Sequence, residues 1–440
     1  MQQVLSRGVA IQTKRSDSPY VPIWTLAILW SLLPIMLYLA GAGYSPSGDR
    51  LEGAAVAVGG ASFSPINAIY SYASIVLILI VVAPSYRALI REFLKTYIVL
   101  ALLIWTDLSA VWSQNAFLSI KGAVLLSLSV AFIYWVRLRF PTDQIMQMLI
   151  LTGLIIGVLS IVAALAFPAI GLDQDSSGAW QGICYSKNRF GRIIMYLMTP
   201  AIHYPQNAYG RIWVRGIYVP FMLVLIVMSH SASALIFAVV YLFVAAILGL
   251  LGRFSSKERY LVLALVGPVL ASAVLFIVQN SDSILPLAGR DATLTGRTTL
   301  WKALIPSIQK RPLVGFGYQA FWIVGKSEGG DALIRIYGFM HWTATYAHNG
   351  YLAVILELGM IGLAIVTLLI LKAGWDALYC LRMTRGLNYV HWYICIVLLS
   401  VLYNVDEVAF NIPVYLPWLM FLLAVNGLSA EASRIRLEIA

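Results

Sequence analysis

Long apolar runs separated by short polar stretches recur along the whole chain. Runs of about 20 residues, the length a helix needs to cross a bilayer, predict spans at 22–43, 66–84, 94–112, 117–136, 145–167, 190–205, 212–230, 232–252, 260–279, 348–371, 389–404 and 412–428. The run at 190–205 is short and carries Arg192 and His203, and the last two runs admit other boundaries. Two stretches depart from the pattern, 168–192 and the much longer 280–347. The pattern therefore predicts an all-α polytopic membrane protein with about twelve transmembrane helices. It divides into a bundle of about nine helices over 1–279, a loop domain over 280–347 and C-terminal helices over 348–440.

Composition agrees with the pattern. Of 440 residues, 60% are hydrophobic and 11% charged, and a soluble fold leaves too much of its surface exposed to hide so much apolar area. The polar stretch "MQQVLSRGVAIQTKRSDSPY" lacks the apolar core of a signal peptide. The net charge of +11 is not a nucleic-acid signature, because Lys and Arg alternate from loop to loop. Basic loops at Arg87, Arg91 and Lys95, at Arg137 and Arg139, at Arg211 and Arg215, and at Arg382 and Arg385 mark the cytoplasmic side, together with both termini. The segments 168–192 and 280–347 break the rule. They place Lys187, Arg189, Arg192, Arg290, Arg297, Lys302, Lys310, Arg311, Lys326 and Arg335 on the opposite side, where cations call for a ligand. Cys184, Cys380 and Cys395 show no pairing pattern, and no clustered His/Cys spacing points to zinc.

The candidate chemistry sits in these outer segments. "TLTGRTTLWKALIPSIQ" reads as a helix with Thr293 or Thr295 as cap and Leu300, Leu304, Ile305 and Ile308 at helical spacing. Arg297 then falls in the first turn, where a cation is disfavoured unless an anion joins it at the backbone N–H groups. A plain surface arginine is the other reading. "RPLVGFGYQAFW" reads as a turn whose Tyr318, Phe321 and Trp322 either stack on sugars or lie in an interfacial aromatic belt. "SKNRFGR" packs Lys187, Asn188, Arg189 and Arg192 into one turn at the mouth of a span. Snorkelling to lipid phosphate is the alternative for Lys187 and Arg189.

In "YAHNGYLAVILELGMIGLAI" His348 stands at the outer end of a predicted helix. Gly359 and Gly362 lie on the face below it, where small residues admit a second helix. Neutral imidazole is a natural general base near neutral pH. Glu357, about 13 Å deeper and on another face, is expected to be structural or protonated. Lys121 is the other charge expected inside the spans. "YNVDEVAFN" at 403–411 places Asn404 and Glu407 at an outer helix end, either as part of an acceptor site or as an ordinary polar loop. "DQD" at 173–175 is an acidic pair of the kind a metal-dependent transferase needs, or a solvated loop.

The motifs "SKNRFGR" (186–192), "GRDATLTGRTTLW" (289–301), "RPLVGFGYQAFW" (311–322) and "AHNGYLAVILELGMIG" (347–362) together resemble the O-antigen ligase and polymerase superfamily. That superfamily includes lipopolysaccharide O-antigen ligases and Wzy- or ExoQ-type exopolysaccharide polymerases. His348 and Asn349, nine residues, then Gly359 and Gly362 match its His-Asn…Gly-x-x-Gly pattern. Ile365 stands where a small residue is expected, and "TLTGRTTLW" is closer to the polymerase branch.

The resemblance implies a GT-C-like bundle in the bacterial inner membrane with a periplasmic active site. It implies inverting, metal-independent glycosyl transfer without a cofactor, from an undecaprenyl-pyrophosphate-linked glycan to a lipid-linked glycan or, in a ligase, to lipid A-core. Flippase and chain-length regulator proteins are the implied partners. In that scheme His348 is the base and Arg297 joins it in catalysis. Arg290, Lys187, Arg189 and Arg192 hold pyrophosphate, while Asn188, Asp291, Tyr318, Asn349 and Glu407 orient sugars or support the site. A substrate transporter is the rival class. It requires ionisable groups across the membrane, whereas the polar residues here gather at one face.

Overall fold

The computed structural model describes residues 75–173, 178–184, 186–204, 213–251, 254, 297–323, 327–332, 336, 346–383 and 388–439. The predicted spans at 22–43 and 260–279, and the first part of 66–84, lie outside the described residues, as do Arg290 and Asp291. Among the described residues all regular elements are helical, and β pairing is limited to an isolated bridge between Leu172 and Trp180.

Among the described residues the main helices follow in the order α1 Tyr86–Lys95, α2 Tyr97–Leu108, α3 Ala116–Arg139, α4 Thr142–Ala166, α5 Lys187–Ile202, α6 Val219–Met228, α7 Ala232–Leu251, α8 Arg297–Lys310, α9 Gly350–Met383, α10 Asn388–Asp406 and α11 Leu416–Ile439. A π-helical turn, Val214–Tyr218, leads into α6. Six of these helices, α3, α4, α7, α9, α10 and α11, are long and apolar enough to cross a membrane. Large apolar side chains such as Phe117, Leu165, Val239 and Leu371 point outward from them, as lipid contact requires.

The helix predicted from the least regular apolar run lies at the centre. Every residue of α5 from Phe190 to Ala201 is buried, and α5 packs on α4, α6, α7, α10 and α11. Ser186 caps it, its hydroxyl accepting the Arg189 N–H at 3.3 Å. A helix buried on all sides needs no amphipathic stripe, which is why its periodicity says little. α11 is the other central element, packed on α3, α5, α9 and α10. Lys121, expected inside the spans, is exposed near the start of α3. Cys184, Cys380 and Cys395 are buried and none is in a disulfide.

α9 is not one helix. At Gly359 the backbone turns to φ 69°, ψ −171° and breaks it. A helix break strands backbone groups that must find partners, and the segment 311–317 supplies most of them. The N–H groups of Phe316 and Gly317 donate to the carbonyls of Leu356 and Glu357 at 2.8 and 3.0 Å, and those of Met360 and Ile361 donate to Pro312 and Leu313 at 2.8 and 3.2 Å. The Trp105 indole N–H takes the Leu358 carbonyl at 3.0 Å. The stretch expected to be a plain turn is therefore a strap locked into a broken helix. Gly359 serves that break rather than the approach of a second helix. The residues after it, Met360 to Met383, rise about 36 Å and suffice to span a bilayer of about 30 Å.

The strap and α8 have their own small core. Leu300, Leu304, Phe316, Phe321 and Trp322 pack on Ala353 and Leu356 of α9, while Ile305 turns outward. Phe321 and Trp322 are thus core residues, neither sugar platforms nor an interfacial belt. The same correction applies to Tyr318. It is fully buried, with its hydroxyl donated to the Asn411 carbonyl at 2.5 Å and its N–H to Ser109 Oγ at 3.0 Å. Shut off in this way, it has no face to offer a substrate.

Candidate active site

The N-terminal ends of α5, α7, α8 and α9 meet the C-terminal end of α10 at one place. Four helix starts bring partial positive charge, and Asp406 and Glu407 answer them at the end of α10. Asp406 is held from two sides. Ser233 at the start of α7 donates its hydroxyl to Asp406 Oδ2 at 2.6 Å. Arg297, the first residue of α8, gives Nη1 both to the Asp406 carbonyl at 2.6 Å and to its carboxylate.

Glu407 is the hub. Its side chain is 3% exposed, and it collects three cationic or proton-donating groups. Arg297 Nη2 lies 3.2 Å from Oε1, Arg192 Nη2 3.4 Å from Oε2, and His348 Nδ1 3.3 Å from Oε1. Burial by itself raises the carboxyl pKa. Arg192, the hydrogen bond and charge of His348, and Arg297 outweigh it and hold the group at about 2, below its usual 4.5. Glu407 is therefore ionised at neutral pH, and its carboxylate can only accept. The hydrogen bond between them is therefore donated by His348 Nδ1, and in the neutral ring that tautomer places the lone pair on Nε2.

Arg192 is buried at 8% exposure, too deep for snorkelling to lipid. Its guanidinium lies 4.8 Å from the Tyr403 ring centroid and 5.7 Å from that of Tyr415, and it donates to the Tyr415 hydroxyl. Arg189 lies over the same Tyr415 ring, 5.8 Å from its centroid. Lys187 is half-buried and Asn188 exposed in the same first turn of α5. Arg192 and Arg297 are thus matched by two carboxylates, while Arg189 and Lys187 add positive charge at the same end.

His348 does not belong to the helix it was expected to head. α9 starts at Gly350, Asn349 is its cap, and His348 precedes the cap with φ 48°. Asn349 Oδ1 accepts the Leu352 N–H at 3.0 Å, and its Nδ2 donates to the Val405 carbonyl at 3.1 Å. Asn349 therefore ties the His348 turn to the acidic end of α10, which is a structural task. The loop after α10 is no ordinary polar loop either. Fully buried Asn404 accepts the N–H groups of Ala409 and Phe410 at 2.9 and 2.8 Å and so fixes the turn that carries Glu407.

Of the residues predicted from sequence, the structure brings together Arg192, Arg297, His348, Asn349 and Glu407, with Lys187, Asn188 and Arg189 beside them. Tyr318 stays apart in the core. Asp406, Ser233, Tyr403 and Tyr415 are additional members. Asp406 was signalled only by its place beside Glu407, and nothing in the local sequence marks the tyrosines. Of "DQD", Asp173 is described and residues 174 and 175 are not. Among the described residues no group of three or more His, Cys, Asp and Glu side chains is arranged to hold a metal ion.

Two known sequences or families match parts of the chain. Residues 217–367 match the family model described as O-antigen ligase, a stretch that runs from the turn before α6 into α9 and contains Ser233, Arg297 and His348. A stretch of 124 residues is 35% identical to the exopolysaccharide production protein ExoQ of Rhizobium meliloti (strain 1021). That alignment spans 28% of this chain and 28% of the length of that protein. Both matches bear out the resemblance to the O-antigen ligase and polymerase superfamily.

Proposed function

We propose that the chain is an inverting, metal-independent membrane glycosyltransferase that polymerises O-antigen or exopolysaccharide repeat units. Its donor is a glycan on undecaprenyl pyrophosphate at the periplasmic face of the inner membrane. The observation that carries the reading is the His348–Glu407 pair, a histidine with Nδ1 against a buried carboxylate, set among Arg192, Arg297 and four helix N-termini. Nε2 of His348 takes the proton of the acceptor hydroxyl as its oxygen attacks C1 of the donor sugar. The C1–O bond to pyrophosphate breaks with inversion. Glu407 stabilises the imidazolium that forms, as a buried carboxylate does for a catalytic imidazole elsewhere.

Pyrophosphate is a good leaving group, so the protein needs charge stabilisation more than a general acid. Arg189, Lys187 and the first turn of α5 supply it at the rim; Arg290, outside the described residues, is a further candidate by the resemblance alone. Arg297 and Arg192 act mainly through the carboxylates they hold. The likeness to the exopolysaccharide production protein supports polymerisation. The family description as O-antigen ligase supports a second reading, transfer to lipid A-core.

The test uses purified protein in liposomes with lipid-pyrophosphate-linked glycan and EDTA, following product size and released lipid pyrophosphate. Elongation by wild type, lost in His348→Ala and Arg297→Ala, is the expected result. Transfer only on addition of lipid A-core identifies a ligase, and full activity of His348→Ala overturns the base.

A further inference from the structure

The turn that presents His348 carries strain and is held by two aromatic residues, Tyr346 and Trp301, to which the sequence analysis gives no role. His348 has φ 48°, a left-handed conformation costly for a side chain with a Cβ. Such strain persists only where the surroundings impose it, and it gathers at functional sites. Two contacts impose it here besides the Asn349 cap. The Tyr346 ring folds back on the imidazole with centroids 3.8 Å apart and planes at 35°. The Trp301 indole N–H donates to the carbonyl of Ala347, the residue between them, at 2.8 Å.

Trp301 lies one turn after Arg297 on α8, so both side chains leave the same face of that helix. Arg297 grips Asp406 and Glu407, while Trp301 grips the backbone beside His348. α8 thereby spans the base and its carboxylate partner. Glu407 fixes one edge of the imidazole, and Tyr346 covers one of its faces. The stack restrains rotation of the ring about its Cα–Cβ and Cβ–Cγ bonds.

We propose that Tyr346 and Trp301 are positioning residues that hold the His348 imidazole with Nε2 aimed at the acceptor hydroxyl. The proposal rests on the reading of His348 as the base. A small misplacement of a catalytic group costs up to about 100-fold in rate, and a positioning defect appears in kcat rather than in donor binding.

The experiment compares wild type, Tyr346→Phe, Tyr346→Leu, Trp301→Phe and His348→Ala by kcat and KM for the lipid-pyrophosphate-linked glycan, with thermal unfolding in detergent as a control. Tyr346→Phe keeps the ring and is expected within about twofold of wild type. Tyr346→Leu and Trp301→Phe are expected to lower kcat about tenfold or more, with KM changed less than about threefold. Trp301→Phe removes the N–H and part of an indole that packs on the core of α8 and the strap, so, read against its unfolding temperature, it decides the matter if Tyr346→Leu does not fold. Wild-type kcat in Trp301→Phe and Tyr346→Leu alongside an inactive His348→Ala overturns the positioning role and leaves the base in place. A loss seen mainly in KM overturns it as well. An active His348→Ala instead removes the reading beneath it.

Discussion

Gly359 and Leu313 meet backbone to backbone: a Cβ built on Gly359 lands inside contact distance of the Leu313 carbonyl. The same glycine has φ 69°. Any larger residue would meet both a clash and a left-handed backbone, the latter costing roughly 1–2 kcal/mol by itself. Gly359→Ala is expected to lower thermal stability in detergent measurably and to uncouple the strap from α9. An unchanged unfolding temperature would mean that the break is not needed.

Much of the fold is legible from sequence because apolar length is a global signal. The nine predicted spans that fall among the described residues each correspond to a helix, and six of those helices are long and apolar enough to cross a membrane. What sequence hides is where a helix stops being one. Gly359 sits in an apolar run that only Glu357 interrupts nearby, and the partners of its stranded backbone groups come from 311–317, well separated along the chain. The Gly-x-x-Gly pattern marked the position but not its purpose. The site is legible where charge is out of place, as with Arg192 and His348. It is silent where ordinary residues take special tasks by proximity, as with Tyr415 under Arg192 or Ser233 at Asp406.

Glu407 gives a pH signature. Its folded pKa is depressed from 4.5 to about 2, so its contribution to stability is full above pH 4.5 and lost as pH falls toward 2. Wild-type thermal stability is expected to fall more steeply with acid over that range than that of Glu407→Gln. The variant should also be less stable at pH 7 by about 3–5 kcal/mol, since it leaves Arg192 and Arg297 partly uncompensated in a buried site. Identical acid profiles for the two proteins would falsify the assignment of Glu407 as the hub.

Arg297 uses a fork that lysine lacks. Nη1 reaches the Asp406 carbonyl and carboxylate while Nη2 reaches Glu407, and a single ammonium cannot match that planar set. Arg297→Lys is therefore expected to lose about tenfold or more in kcat despite the conserved charge. Retention of wild-type turnover would show that charge alone suffices there.

Asn404 separates the support of the site from its chemistry. Its Oδ1 accepts two buried N–H groups, from Ala409 and Phe410, while its Nδ2 donates to the Ser400 carbonyl at 2.7 Å. Gly350 runs so close that a Cβ there would overlap the Asn404 amide, so no larger residue fits at position 404 without displacing the start of α9. Asn404→Leu strands both N–H groups and crowds Gly350, at a cost of about 1–3 kcal/mol for each unsatisfied group. It should abolish transfer by moving Asp406 and Glu407. Asn404→Asp keeps the acceptor oxygen and the size, but loses the donation to the Ser400 carbonyl and sets a second carboxyl oxygen against it in a buried site. It should unfold at a higher temperature than Asn404→Leu and retain part of the activity, measured as released lipid pyrophosphate. Equal loss in both variants would place the importance of Asn404 in its amide donor, and the turn that carries Glu407 would then not depend on the two accepted bonds.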